Sequence, residues 1–277
     1  MVVNRPKVNN QYNLLAKVYS KQLEIYLPRT FISKFKSKSQ ISRVVTEKWA
    51  KENLFCPNCG NKIVPYPANT KVYDFYCSKC PERFQLKSSG KAFSKSILGA
   101  EYKTTLRSLR VGRHPSLILS HYDKDNMLIK NISILHRACI TASCLRPRKP
   151  LSPSARRHGW QGCLYLVDQI PKLGLISIVN DGRVASKNQV IQRWQAARKF
   201  LEVPFAKRGW LADLLTCIDQ LYTMFTLHDV YQFEDKLAEL YPSNRNVKPK
   251  IRQQLQQLRD LGIIEFLQPG MYRRLHK

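Results

Sequence analysis

The chain has 277 residues, and 47 Lys and Arg against 19 Asp and Glu give it a formal net charge of +28. Its length allows one large domain, or one of about 180 to 200 residues with a small companion, and its 43% hydrophobic content is that of a folded protein. So large a positive excess calls for a polyanion, nucleic acid first, whereas no ~18-residue apolar run, signal-peptide core, basic amphipathic helix or lipidation signal points to a membrane.

Residues 1–36 are mixed and basic (Arg5, Lys7, Lys17, Lys21) and are expected to form an extension without regular structure. A helix is predicted from Ser39, a possible cap, with Ile41, Val44, Val45 and Trp49 on one stripe. The segment from Phe55 to Lys87 holds two β-like runs, KVYDFYC and RFQLK. A helix over about 93–110 follows, then strands in SLILSHY and MLIKNISIL. The stretch CLRPRKPLSPSARRHGW is rich in Pro and Arg and reads as a loop or extended arm. LYLVDQI and GLISIVNDG read as strands and QVIQRWQAARKFLEV as a helix.

The last seventy or so residues read as a separate unit. RGWLADLLTCIDQLY and FTLHDVYQFEDKLAELYP are amphipathic helices, the second capped by Thr226. VKPKIRQQLQQLRDLG is a third, with Pro249 in its first turn and Gly262 at its end. IIEFLQPGMYRRL reads as a hairpin, which makes the unit a winged helix. Ile251, Leu255 and Leu258 share the buried face of the third helix, while Lys250, Gln253 and Gln257 point away. Basic and amide side chains suit a helix that enters a major groove, with Arg252 a further contact.

Cys56, Cys59, Cys77 and Cys80 form two C-x2-C pairs seventeen residues apart. That is the ligand set of a closed, four-coordinate structural Zn²⁺ site, which leaves no open position for chemistry. Cys139, Cys144, Cys163 and Cys217 lack such spacing and read as ordinary thiols of a reducing compartment. Beside the cluster, strand alternation puts Gln85 and Lys87 on one face, and the Cys77–Cys80 turn can bring Asp74 next to them. A carboxylate, an amide oxygen and an ammonium then converge. Asp74, Gln85 and the Leu86 carbonyl offer hard oxygen ligands for Mg²⁺, and Lys87 can orient a water and offset charge on a phosphate.

Asp followed by (Asp, Glu or Gln)-x-Lys is the pattern of the PD-(D/E)xK nuclease superfamily. The blocks TEKW, FCPNCGN, DFYCSKCPERFQLKS, PLSPSARRHGWQGC, FTLHDVYQFE and KIRQQLQQLRDLGIIEF, in that order, are similar to the DpnI-type, Dam-replacing family of methyl-directed restriction endonucleases. The resemblance implies an α/β (α+β) PD-(D/E)xK nuclease domain with the zinc site embedded over 37–200, and a small winged-helix DNA-binding domain over 206–277. It implies a bacterial, cytoplasmic type II enzyme, monomeric in solution and needing no protein partner. Its substrate would be double-stranded DNA, cut with Mg²⁺ at GATC carrying N6-methyladenine. Asp74 and Lys87 would be catalytic. Gln85 stands where the type member has glutamate, although other nucleases of the superfamily carry Gln there. Losing one negative charge should weaken metal binding and favour Mn²⁺.

The methyl group is apolar and projects into the major groove, so its recognition needs a dry aromatic face. Arg156 and Arg157 are candidates to grip phosphates while Trp160, which the resemblance places against methyladenine, reads the methyl. Two other readings share the charge and the zinc site: a non-cleaving methyl-DNA reader or zinc-ribbon and winged-helix regulator, and a nuclease blind to methylation.

Overall fold

A computed structural model describes residues 23–28, 37–68, 70 and 72–276. Of the basic extension, only residues 23–28 fall within this range, and Arg5, Lys7, Lys17 and Lys21 lie outside the described residues. Residues 23–28 pack on the body of the chain. Leu27 is buried and Tyr26 bridges to Leu128. The carbonyl of Glu24 accepts the Trp49 indole N–H at 2.6 Å.

Helix α1 spans Lys38–Asn53. It starts one residue before Ser39, and the boundary residue Ser37 makes no side-chain cap hydrogen bond. Val45, Thr46, Trp49 and Ala50 are buried, so the inward stripe is set slightly C-terminal to the predicted one, with Ile41 at its margin.

A seven-stranded sheet forms the centre, in the order β1-β2-β3-β5-β6-β9-β10. Its strands are β1 (Ile63–Pro65), β2 (Phe75–Cys77), β3 (Arg83–Ser89), β5 (Ser116–Asp123), β6 (Leu128–Leu135), β9 (Leu175–Asn180) and β10 (Arg183–Val184). Among the described residues only the β3–β5 pair is parallel; it is bridged by β4 (Ser96–Glu101) and α2 (Tyr102–Arg110). Five successive residues of β5, from Ser116 to Ser120, are buried, the mark of a strand covered on both faces. Strand β4 pairs with β8 (Gly162–Leu166), which pairs with β7 (Leu145–Pro147), in a second sheet. Helix α3 (Lys187–Arg198) closes this part, with Trp194 fully buried against His136 and Phe84.

The predicted helix over 93–110 is a correction: its first half is β4. Gly99 lets β4 approach β8, because a Cβ there would stand 2.3 Å from the Cys163 sulfur. The true helix begins where the Glu101 carboxylate caps the Thr104 N–H at 2.8 Å. The predicted 144–160 loop likewise contains β7 at its start.

The C-terminal unit is helical with a small sheet. It runs α4 (Phe205–Ile218), β11 (Met224–Thr226), α5 (Leu227–Tyr231), α6 (Glu234–Leu240), α7 (Val247–Asp260), β12 (Ile264–Gln268) and β13 (Met271–Arg274). The helix expected over 225–242 is two helices, broken at Gln232 and Phe233. Thr226 does cap the first, in a reciprocal box with Asp229. The hairpin gains β11 as a third strand. Gly262, at φ 62°, ends α7 with Ile263 N–H bonded to the Leu258 carbonyl. Asp213 of α4 ties this unit to the rest, accepting from Ser143 Oγ at 2.8 Å and from Tyr241 OH at 2.5 Å.

Candidate active site and metal cluster

The two cysteine pairs meet. The four Sγ atoms lie within 4.8 Å of one another, with Cys56–Cys80 at 3.5 Å and Cys59–Cys77 at 3.3 Å. A tetrahedral ion bound at ~2.3 Å sets its sulfurs about 3.8 Å apart, so the cluster can hold a zinc ion. The first knuckle turns at Gly60, φ 73°, and docks on α3. There the Trp194 indole donates to Asn58 Oδ1 at 3.2 Å and Gln195 Nε2 to the Asn58 carbonyl at 3.0 Å. The second knuckle is the turn between β2 and β3. The cluster therefore fixes one end of both strands against the core.

After the first two residues of β3, the strand pairing changes. Phe75 faces Phe84 and Tyr76 faces Arg83 in regular antiparallel register. At Asp74 the chain bends out of the ladder: its N–H still reaches the Phe84 carbonyl at 2.9 Å, and its carboxylate accepts the Leu86 N–H at 2.8 Å. In an extended strand a residue's N–H and C=O point to the same edge, so the Leu86 carbonyl also faces the Asp74 side. Arg83, Gln85 and Lys87 alternate onto one face, and Phe84 and Ser88 onto the other. Among the described residues the Gln85 amide makes no side-chain hydrogen bond, which leaves its oxygen open to a ligand.

The electrostatics of this corner are set by burial. Burial pushes the Asp74 carboxyl above its ordinary range, with the Leu86 N–H opposing it, Glu47 reinforcing it, and Arg43 and Lys87 opposing. Burial pulls the Lys87 ammonium below its ordinary range, with Asp74 and then the Cys163 thiol opposing. Both residues are half-buried, so both charged forms are partly desolvated, and each is held partly by the other. Behind Lys87 lies a buried polar cluster. His114 Nε2 lies 2.8 Å from Tyr165 OH, and burial lowers the His114 imidazole to about 4.

Asp74 is thus bonded to Leu86 and lies within electrostatic reach of Lys87, with Gln85 the residue just before Leu86 on the same strand. Glu47 and Arg43 escaped the sequence reading. They form a 2.6 Å ion pair on α1, and both act electrostatically on Asp74. Helix α1 is anchored there by the Ser88 Oγ to Thr46 Oγ1 hydrogen bond of 2.8 Å. Helical spacing alone pairs Arg43 with Glu47 but gives no sign that β3 lies beneath them.

The arm over 148–162 closes on itself, with Arg148 N–H bonded to the Gly162 carbonyl and Leu151 N–H to that of Trp160. Trp160 is half-buried, its ring set against the backbone of Gly162, where a Cβ would stand 2.9 Å from it. The Arg157 guanidinium lies 4.8 Å over the indole, while Arg156 is exposed. The arm leaves β8 one residue from Cys163, whose thiol feels the Lys87 charge. On α7, Ile251, Leu255 and Leu258 are buried as predicted. Arg252 and Gln253 are exposed, with Arg252 bonded to Tyr231 OH at 2.7 Å and Lys250 to Gln253 at 2.8 Å. Lys250 and Gln257 are half-buried. Among the described residues no helix is long and apolar enough to cross a membrane.

A mixed α/β domain that carries a four-cysteine cluster beside a half-buried carboxylate–ammonium corner, joined to a helical unit with a basic exposed helix face, has the parts of a DNA-acting enzyme. Residues 23–203 match the Dam-replacing family and residues 206–274 match the Dam-replacing HTH domain. The chain belongs to the Dam-replacing family, a family of restriction endonucleases. Its helix-turn-helix domain implies binding to DNA.

Proposed function

We propose that the protein is a type II methyl-directed restriction endonuclease that hydrolyses double-stranded DNA at GATC sites carrying N6-methyladenine. The observation that carries this reading is the Asp74 carboxylate, half-buried and held by the Leu86 N–H on the strand that presents Gln85 and Lys87. We assign residues 37–200 to a PD-(D/E)xK nuclease domain, residues 206–277 to a winged helix, and residues 1–36 to a basic extension. The protein acts as a monomer in solution.

The donor set suits a hard divalent cation: one carboxylate oxygen of Asp74, the unengaged Gln85 amide oxygen and the Leu86 carbonyl. Mg²⁺ or Mn²⁺ bound there would supply charge stabilisation at the phosphate under attack. Lys87, kept an ammonium by Asp74, orients the attacking water and balances charge that develops on the phosphate oxygens. The desolvation that disfavours both charges in the free protein is offset by opposite charge when a cation meets Asp74 and a phosphate meets Lys87. Zn²⁺ in the four-cysteine cluster is structural: four thiolates close the coordination shell, and the knuckle between β2 and β3 sets the distance from Asp74 to Gln85.

Trp160 offers the apolar face that a methyl group requires, and Arg156 and Arg157 contact phosphates beside it. In the winged helix, Lys250, Arg252, Gln253 and Gln257 face the major groove and read the site a second time. Gln85 favours one alternative, a methyl-DNA reader that does not cut, because the site has one charge fewer than an Asp–Glu pair. Digestion of one plasmid, adenine-methylated and unmethylated, with Mg²⁺ and then Mn²⁺ separates the readings. Fragments from the methylated form alone support the enzyme. Binding without fragments supports the reader, and equal cutting of both forms sinks the methyl-directed reading.

A further inference from the structure

The face of β3 that carries Gln85 and Lys87 also carries Arg83, at the exposed end near the knuckle. Arg83 pairs directly across the ladder with Tyr76, itself 36% exposed. Two more tyrosines complete the group. Tyr66 lies against Tyr76 with ring centroids 4.9 Å apart and against Tyr73 at 5.8 Å. The Arg83 guanidinium sits 5.1 Å over the Tyr73 ring, and Tyr73 is pinned by its hydroxyl to the Arg113 carbonyl at 2.6 Å.

This arrangement holds a charge and leaves it free. Among the described residues Arg83 has no carboxylate partner. The acidic residue next to it, Glu82, is buried and turned away to Arg137 at 3.5 Å. A guanidinium stacked on an aromatic ring keeps its in-plane N–H donors available for two phosphate oxygens. Its location is as telling as its chemistry. Two residues along a strand span roughly 6.7 Å, so Arg83 stands one such step from Gln85, and its cross-strand partner Tyr76 is two residues from the Asp74 bend. The Tyr66 N–H is bonded to the Asp74 carbonyl at 2.9 Å, which ties the tyrosine group to the bend itself.

We propose that Arg83 and the Tyr66–Tyr73–Tyr76 group form a subsite for the DNA backbone next to the bond that is cut. Arg83 grips the neighbouring phosphodiester, and the exposed Tyr76 ring backs its deoxyribose. The inference rests on the nuclease reading above and adds to it the groups that hold the scissile strand in register. It also gives the metal cluster a second task, because the same knuckle positions both Arg83 and the Asp74 bend.

The test is fluorescence anisotropy with a methylated GATC duplex and Ca²⁺ in place of Mg²⁺. The full chain is compared with Arg83→Gln, which keeps a stem over Tyr73, and Arg83→Lys, which keeps the charge. Arg83→Gln should weaken binding about tenfold and reduce the slope of log K against log salt by about 0.9, the value for one lost phosphate contact. Arg83→Lys should keep the slope. A scan of duplexes with single neutral methylphosphonates should find one linkage whose neutralisation weakens the wild type but not Arg83→Gln. Where fragments locate the cut, that linkage should adjoin it. An unchanged slope, or a methylphosphonate pattern identical in both proteins, would overturn the proposal. These readouts need no cleavage, so a protein that binds but never cuts would refute the nuclease reading while still deciding the role of Arg83.

Discussion

Restoring a carboxylate with Gln85→Glu is the sharpest probe of the proposed metal site. Residue 85 stands next to the Phe75–Phe84 pair, across from the Asp74 bend. Asp74 has left the ladder there, so roughly 5 Å, the spacing of adjacent cross-strand side chains, serves only as the scale of its separation from residue 85. At ~5 Å and an effective dielectric near 20, two unit negative charges repel by about 3 kcal/mol. A divalent cation at a similar distance attracts the new charge about twice as strongly, by about 7 kcal/mol; the repulsion is present with and without the ion and cancels from the affinity, so the tenfold to hundredfold gain needs only about 1.4–2.7 kcal/mol of that attraction to survive desolvation. The metal-free variant should melt below the parent, and calorimetric titration with Mn²⁺ should show ten- to a hundredfold tighter binding. The preference for Mn²⁺ over Mg²⁺ in cleavage should shrink with it. An unchanged or weaker Mn²⁺ affinity in a folded variant would refute the reasoning, because residue 85 would then not face the cation.

Other substitutions divide the remaining roles. Asp74→Ala should abolish cleavage and leave DNA binding in Ca²⁺ intact; persistent cutting would move the active site elsewhere. Cys56→Ser removes a buried thiol from the proposed zinc site, and zinc binding by such sites, about 10–16 kcal/mol in small zinc-binding peptides, rivals the stability of a whole domain. The variant should lose bound zinc and its cooperative melt, and a folded, active, zinc-free protein would sink the structural-zinc assignment. Trp160→Ala should reduce the ratio of affinities for methylated over unmethylated duplex by roughly tenfold, the scale of one base–aromatic contact. An unchanged ratio would remove the indole from the readout. Burial raises the Asp213 carboxyl, with Tyr241 and Ser143 opposing. Its folded pKa lies above its unfolded one, so its charge costs stability increasingly as pH rises above the ordinary carboxylate range. The Tm of Asp213→Asn minus that of the parent should therefore increase from pH 4 to pH 7, and a flat difference would show that the raised carboxyl does not govern this interdomain contact.

What could be read from the sequence is what local chemistry writes. Two C-x2-C pairs announce a cluster that can hold a metal ion because ligand spacing within a knuckle is a property of a few consecutive residues. Thr226, Pro249 and Gly262 mark helix ends for the same reason, and period-two alternation correctly puts Gln85 and Lys87 on one face. The failures have a common cause in contacts between distant segments. Gly99 marks a strand only because the Cys163 sulfur lies against it, and a run of apolar and basic residues around it reads equally well as helix. Glu47 gains its relation to Asp74 from the packing of α1 on β3. The bend at Asp74 is the clearest case. Strand β2 begins at Phe75, so beyond it the Leu86 N–H lacks a strand partner, and the Asp74 carboxylate takes that place. Alternation predicts a side chain standing above the sheet, whereas the carboxylate lies at its edge, within reach of α1 on one side and Lys87 on the other. The feature that gathers the proposed ligands is thus an interruption of the pattern that reveals the strands, which is why periodicity can nominate these residues but cannot arrange them.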